Sequence, residues 1–269
     1  MAQRKITQQI AQPNRTAPTM STFKYGLKPV KPRTTDLMFS RYRTGAPLPP
    51  HPATYGFADK IKDWLMLGND KYGCCVWAEA AHEHILWNLL MGRNVEFDEA
   101  TVLQAYTEAT GFNPKKPATD KGSDIHEALK YRQKTGIPDV AGNRHTIGAY
   151  VWLQPGNYEQ YLEAQYLFET LNVCIQVPES AQEQFGRGFT WTVVPGSPIE
   201  GGHCITGAGL AAYPQVITWG KVQLMSKRFY QKYNVATAAI ISPEQLDKPN
   251  GRNAVAFDFA TLQRDLNLL

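Results

Sequence analysis

The sequence predicts an α+β fold, helical in its first half and built on an antiparallel sheet in its second, behind an extended basic N-terminal arm. Three observations carry this reading. An apolar-periodic stretch opens at Cys75 and runs to Gly92, and capped helical segments follow it. The last third changes to short β-branched and apolar runs separated by turn residues. Helices first and strands afterwards suit α+β better than alternating βαβ units.

The elements follow in order. Residues 1–45 form the arm and 46–269 the folded domain. The first 50 residues hold nine Lys and Arg against one acid, Asp36, and seven of the 18 prolines. Such a stretch buries too little surface to fold alone. It also holds Phe23, Tyr25, Leu27, Leu37, Met38, Phe39 and Tyr42, more large apolar groups than a solvated linker carries, so its second half is expected to lie on a surface. That surface is either its own domain or a neighbouring subunit.

Leu48-Pro49-Pro50-His51-Pro52 reads as an extended entry segment, because proline and the residue before it avoid helix. Gly68 to Gly73 reads as a loop. In the helix that follows, Ala78, Ala81, His82, Ile85 and Leu89 recur at helical spacing and Gly92 stops it. Further helices are expected from Asp98 to Thr110, ended by Gly111, and from Ser123 or Asp124 to Gly136, with Asp124 and Glu127 at capping-box spacing. Residues 146–153 read as a strand, 157–171 as a helix and 172–178 as a strand. Strands are expected at 205–210, 215–219 and 236–241, with an amphipathic piece at 225–233. No internal repeat appears.

Composition narrows the class. The chain has 269 residues, 43% of them hydrophobic and 11% aromatic, at a net charge of +4; this is a globular composition. No run approaches the roughly 18 apolar residues of a membrane span, and the polar N-terminus shows no secretory signal. The four cysteines, two of them adjacent, do not form a disulfide framework. A reducing compartment is therefore expected, cytoplasmic or within a phage particle. The basic arm comes with no recognised nucleic-acid module, so nucleic acid is not the expected partner.

Two stretches carry chemistry. Cys75 stands at the start of a helix, where unpaired N–H groups and the helix dipole favour a thiolate. Gly201-Gly202-His203-Cys204 places a histidine at the head of an apolar strand, behind two glycines that permit close approach. Either feature alone is more often ordinary core. Zinc is the rival chemistry for Cys74, Cys75, His82, His84, His203 and Cys204, but none shows the Cys-x-x-Cys or His-x-x-x-His spacing of zinc sites. Gly207-Ala208-Gly209 lacks the following helix of a phosphate loop. No metal and no cofactor is expected.

Loop–Cys–helix, then a distant Gly-His strand, then a strand ending in Trp219-Gly220 resembles the papain-like cysteine peptidases in content and order. More closely, the chain resembles uncharacterised bacterial and phage proteins that share a Gly-Asn-Asp-x-x-Gly-x-Cys motif, a Gly-Gly-His motif and a Thr-Trp-Gly motif. The resemblance covers roughly residues 46–269, through three short stretches. It implies a papain-like fold with Cys75 as nucleophile, His203 as base, and Asn69, six residues before the cysteine, as oxyanion donor. Trp77 and Ala78 echo the family's aromatic–alanine pair, shifted by one. Where the family has an asparagine two residues before the tryptophan, this chain has Ile217, and Thr218 is left to orient the histidine. The resemblance selects Cys75 over Cys74, and the arm does not match the family's long inhibitory propeptide.

The expected activity is that of a cysteine peptidase or amidase acting on a peptide or amide substrate. The alternative is a catalytically weak or inactive papain-like component of a phage particle, anchored on neighbouring subunits through residues 1–45.

Overall fold

The computed structural model describes residues 23–47, 51–247 and 251–268. Residues 1–22 of the arm and Leu48–Pro50 of the expected entry segment lie outside the described residues. In chain order the helices are α1 Cys75–Leu90, α2 Glu99–Thr110, α3 Ile125–Lys134, α4 Tyr158–Phe168, α5 Glu179–Gly186, α6 Lys227–Tyr233, α7 Pro243–Asp247, α8 Gly251–Ala256 and α9 Phe259–Leu266. The strands are β1 Tyr55–Gly56, β2 Ile137–Pro138, β3 Arg144–His145, β4 Ala149–Trp152, β5 Leu171–Pro178, β6 Ile199–Leu210, β7 Pro214–Thr218, β8 Lys221–Leu224 and β9 Asn234–Ile241. Seven of the strands form one antiparallel sheet in the order β4-β9-β5-β6-β7-β8, with β1 paired to β6.

Local chemistry sets the helix ends. Asp98 accepts from the Thr101 N–H at 2.8 Å while the Thr101 hydroxyl takes the Asp98 N–H, so the first donors of α2 are satisfied from both sides. Gly111 then ends α2 at φ 74°, where a Cβ would be strained. Asp124 caps α3 through the N–H groups of His126 and Glu127. The capping box expected with Glu127 does not close, because the Glu127 carboxylate binds Arg33 of the arm at 2.9 Å.

β6 begins six residues before the expected strand, since Gly201 and Gly202 already pair with β5. α5 and β8 were not foreseen. The first is short, and the second is the return limb of a hairpin whose two-residue turn is Trp219-Gly220.

The sheet is covered on both faces. Leu171, Val173, Ile175 and Val177 of β5 point into a core with Tyr161, Phe168, Phe229 and Phe257. Cys174, on the opposite face, joins the core built by α1, α2 and α3. α1 therefore has almost no solvent face: from Cys75 to Asn88 only Ile85 is not fully buried. Its two buried acids are met by a buried cation. Arg132 of α3 reaches Glu83 at 2.7 Å and Glu79 at 3.6 Å, and all three side chains are fully buried. Burial pushes both carboxyl groups up, while Arg132 opposes that rise.

The described part of the arm runs over this domain. Leu37 accepts the Trp152 N–H at 2.8 Å and Met38 bridges Trp152, which covers the β4 edge of the sheet. Phe39 and Tyr42 are fully buried. Phe39 stacks on Phe257, and the Tyr42 hydroxyl donates to Asp265 at 2.9 Å.

Candidate active site

The loop before α1 is bent into a conformation that side chains resist. Leu65 (φ 61°) and Leu67 (φ 56°) are both left-handed, and Gly68 follows at φ 77°. Bulky residues hold such angles only where surroundings impose them, and these strains gather at functional sites. The loop turns on Asn69 N–H to Met66 C=O (3.1 Å) and Tyr72 N–H to Gly68 C=O (3.0 Å). Asn69 is buried, and its side-chain oxygen has no partner among the described residues. Cys74 caps the helix and points its thiol back at the Leu67 carbonyl, 3.6 Å away. Cys75 is the first residue of α1. Two residues further, Trp77 donates its indole N–H to Ser123 Oγ at 2.9 Å, which fixes the helix head against the loop before α3.

His203 lies on β6 and is fully buried. Its Nε2 is hydrogen-bonded to Thr218 Oγ1 at 2.7 Å. Among the described residues its Nδ1 has no partner, and no hydrogen bond joins the ring to Cys75. Trp219 stacks on the imidazole at 4.5 Å and 16°, covering the His203–Thr218 contact. The hairpin turn forces Trp219 to φ 45°, and Gly220 packs against the Leu65 backbone, so the two strained segments abut. Cys75 lies beside β6 at this point: the Cys204 backbone, one residue past His203, neighbours its sulfur.

A short piece of the arm, which sequence reasoning did not place here, crosses beside His203 and Trp219. Residues 23–28 cross between the loop before α3 and the head of β6. Leu27 donates to the Gly202 carbonyl at 3.1 Å, Lys28 donates to the Ser123 carbonyl at 3.0 Å, and the Ser123 N–H donates to the Gly26 carbonyl at 2.7 Å. Leu27 thus pairs in parallel with Ser123. Phe23 stacks on the outer face of Trp219 at 4.5 Å, and Tyr25 meets the edge of His203 at 6.2 Å. The Tyr25 hydroxyl donates to Glu200 at 2.6 Å and also meets the Gln182 amide. The Gly26 backbone neighbours the Cys75 sulfur. A Cβ there would overlap the carbonyl of Gly73, and a Cβ on Gly122 would overlap the carbonyl of Gly26. Glycine is the residue that fits, because backbone walls cannot rotate away.

Burial sets the electrostatics. The Cys75 thiol is pushed up to about 12, chiefly by loss of water and secondly by the neighbouring Cys204. The backbones of Cys204, Gly26 and Val76 act in the opposite direction without prevailing. His203 is pushed down to about 3 by burial. The helix-start position leads one to expect a lowered thiol; in this closed arrangement desolvation outweighs the helix dipole. Both groups are therefore neutral near pH 7.

The other candidate ligands are dispersed. His82 Nε2 binds the Trp64 carbonyl at 2.7 Å, and His84 sits among Trp87, Phe97 and His145. Among the described residues no group of three or more His, Cys, Asp or Glu is placed to hold a metal ion. No described helix is long and apolar enough to cross a membrane.

The sequence matches no family model and no curated protein. Solved structures do match. Xylellain, a cysteine protease from Xylella fastidiosa, superposes with a TM-score of 0.62 at 12% identity, over 81% of this chain and 96% of that one. Procathepsin B from Trypanosoma congolense gives 0.53 at 15% identity, over 79% and 85%. The Carica candamarcensis cysteine protease CMS1MS2, in complex with E-64, gives 0.52 at 12% identity, over 71% and 99%. This chain has the fold of the papain-like cysteine proteases.

Proposed function

We propose that this protein is a papain-like cysteine peptidase or amidase whose cleft is closed by its own arm. The observation that carries the reading is the state of His203. One ring nitrogen is held by Thr218 at 2.7 Å beneath Trp219, and the other has no hydrogen-bond partner among the described residues. With Nε2–H donating to Thr218, Nδ1 carries the lone pair and serves as base.

Once the cleft is open, His203 Nδ1 takes the Cys75 proton and the sulfur attacks the substrate carbonyl. The oxyanion is met by the Asn69 amide and the Cys75 N–H. Protonated His203 then gives its proton to the leaving amine, and water, deprotonated by the same nitrogen, hydrolyses the thioester. A peptide would take the place of residues 23–28, pairing with Gly202 and Ser123 as the arm does.

One observation favours the second reading, an inactive structural or binding component of a phage particle: Cys75 and His203 are sealed from solvent. The test is hydrolysis of a fluorogenic peptide-amide library by the Phe23→Ala/Tyr25→Ala variant. Turnover that vanishes in the same variant carrying Cys75→Ala supports the peptidase. An opened cleft, shown by alkylation of Cys75, with no turnover of any peptide supports the structural component.

A further inference from the structure

Behind the cleft, β5 and β6 carry two thiols the peptidase reading does not use. Cys174 and Cys204 are direct partners in the antiparallel register, and both are free and buried. Their sulfurs lie 3.9 Å apart, and both thiols donate to one atom, Asn172 Oδ1, at 3.5 and 3.3 Å. Directly opposed residues on antiparallel strands have Cα atoms about 4.5–5.5 Å apart, inside the range of roughly 4.4–6.8 Å that a disulfide accepts. Side-chain rotation alone brings the sulfurs together. The shared acceptor already turns both thiols toward the same point.

The pair is also connected to the candidate site. Cys204 follows His203 directly, and its backbone neighbours the Cys75 sulfur. The Asn172 amide donates to Glu79, which stands one turn below Cys75 on α1, and Thr206 of β6 donates to the Glu79 carbonyl.

We propose that Cys174 and Cys204 are a redox-active pair, reduced in this structure, that closes into a cross-strand disulfide when the protein meets a peroxide. The chemistry balances in two steps. Peroxide oxidises one thiol to the sulfenic acid and leaves as water. The second sulfur then attacks the first, forms the S–S bond and expels the sulfenic oxygen as a second water. Because both thiols are buried, the first step proceeds at the rate at which this part of the sheet opens, which makes closure slow. Closure removes both S–H donors from Asn172 and ties β5 to β6 beside His203.

The test uses the full chain treated with hydrogen peroxide, alkylated, and digested without reductant. The expected product is a linked peptide pair containing Cys174 and Cys204, with free thiols falling from the four of the reduced chain to two. The melting temperature should rise by about 5–10 °C, since the bridge constrains the unfolded chain, and dithiothreitol should reverse the rise. Cys174→Ser and Cys204→Ser should each lose the linked pair, and Cys74→Ser and Cys75→Ser should each keep it. Four surviving thiols, or a bridge from Cys204 to Cys75, would overturn the proposal. If a serine variant does not fold, the wild-type peptide map decides alone. These readouts are mass and thiol count, so the result stands apart from whether the protein cleaves peptides.

Discussion

Two stretches of the arm, less than ten residues apart, are held in different ways. Residues 23–28 lie across the cleft through three backbone hydrogen bonds and the rings of Phe23 and Tyr25, with Lys24 and Lys28 exposed. Residues 37–44 are part of the domain. Phe39 and Tyr42 are at 0% exposure in the main core, and Arg43 forms an ion pair with Glu163. The cleft segment is thus a candidate for local displacement, while the second cannot leave without opening the core. The stretch between them contains Lys28-Pro29 and Lys31-Pro32, so its turn is stiffened by two prolines. One arm, so divided, lies against His203 and Trp219 at one end and inside the main core at the other.

The comparison can be broken at its strong end first. Tyr42→Ala should cost about 3–5 kcal/mol by emptying the core around Phe257 and removing the donor to Asp265, read as a lowered urea midpoint. Phe23→Ala, on the cleft segment, should cost under about 1.5 kcal/mol, because Phe23 is only partly buried. Equal losses would mean that the two stretches form one cooperative unit.

A smaller effect is expected at the histidine. Thr218→Val removes the only partner of a buried ring nitrogen and should cost about 1–3 kcal/mol, with a larger fall in turnover than in substrate affinity in an opened variant. Thr218→Asn should restore part of the turnover. A Thr218→Val protein with unchanged kcat would leave the contact merely structural.

Acid should act in a defined direction. His203 and His82 are pushed down to about 3 and 4 in the folded protein, against an ordinary value of 6.5. The unfolded chain binds more protons than the folded one between those values. Stability contributed by the two neutral histidines is present above pH 6.5 and is lost as pH falls from about 6.5 toward 3. Urea midpoints at pH 7 and pH 5 should show the loss, and His82→Gln should reduce its slope. A His82→Gln slope equal to the wild-type slope would mean that the His82 ring is hydrated in solution.

Much of the fold was legible because its signals were local. Asp98 and Gly111 bound α2, Asp124 caps α3, and the apolar spacing after Cys75 marks a helix that is buried. What was not legible depended on distant partners. Glu79 and Glu83 lie off the apolar spacing of Ala78, Ala81 and Ile85, yet both are buried, where Arg132 meets them. The resemblance offers Thr218, next to Ile217 at the family's asparagine position, as the orienting residue, and its hydroxyl is hydrogen-bonded to the His203 ring at 2.7 Å. The cleft segment left one unused signal. Phe23, Tyr25 and Leu27 alternate with Lys24 and Gly26, the period of an extended strand, and Gly26 marks a close backbone approach. The rise in the Cys75 pKa was beyond the sequence, because it arises from complete burial of the thiol in the folded chain and from the neighbouring Cys204.

The central claim is that Cys75 and His203 form a nucleophile–base pair beneath a displaceable cover. It is tested most directly by the pH dependence of Cys75 alkylation by iodoacetamide, followed by mass spectrometry. In the full chain Cys75 should react as slowly as Cys174 and Cys204. In Phe23→Ala/Tyr25→Ala it should react at least about tenfold faster, with a midpoint well below the free-cysteine value of about 8.5. Adding His203→Ala should return that midpoint to about 8.5 or above. A fast Cys75 whose midpoint ignores His203, or a Cys75 that stays slow after Phe23 and Tyr25 are removed, would contradict the account.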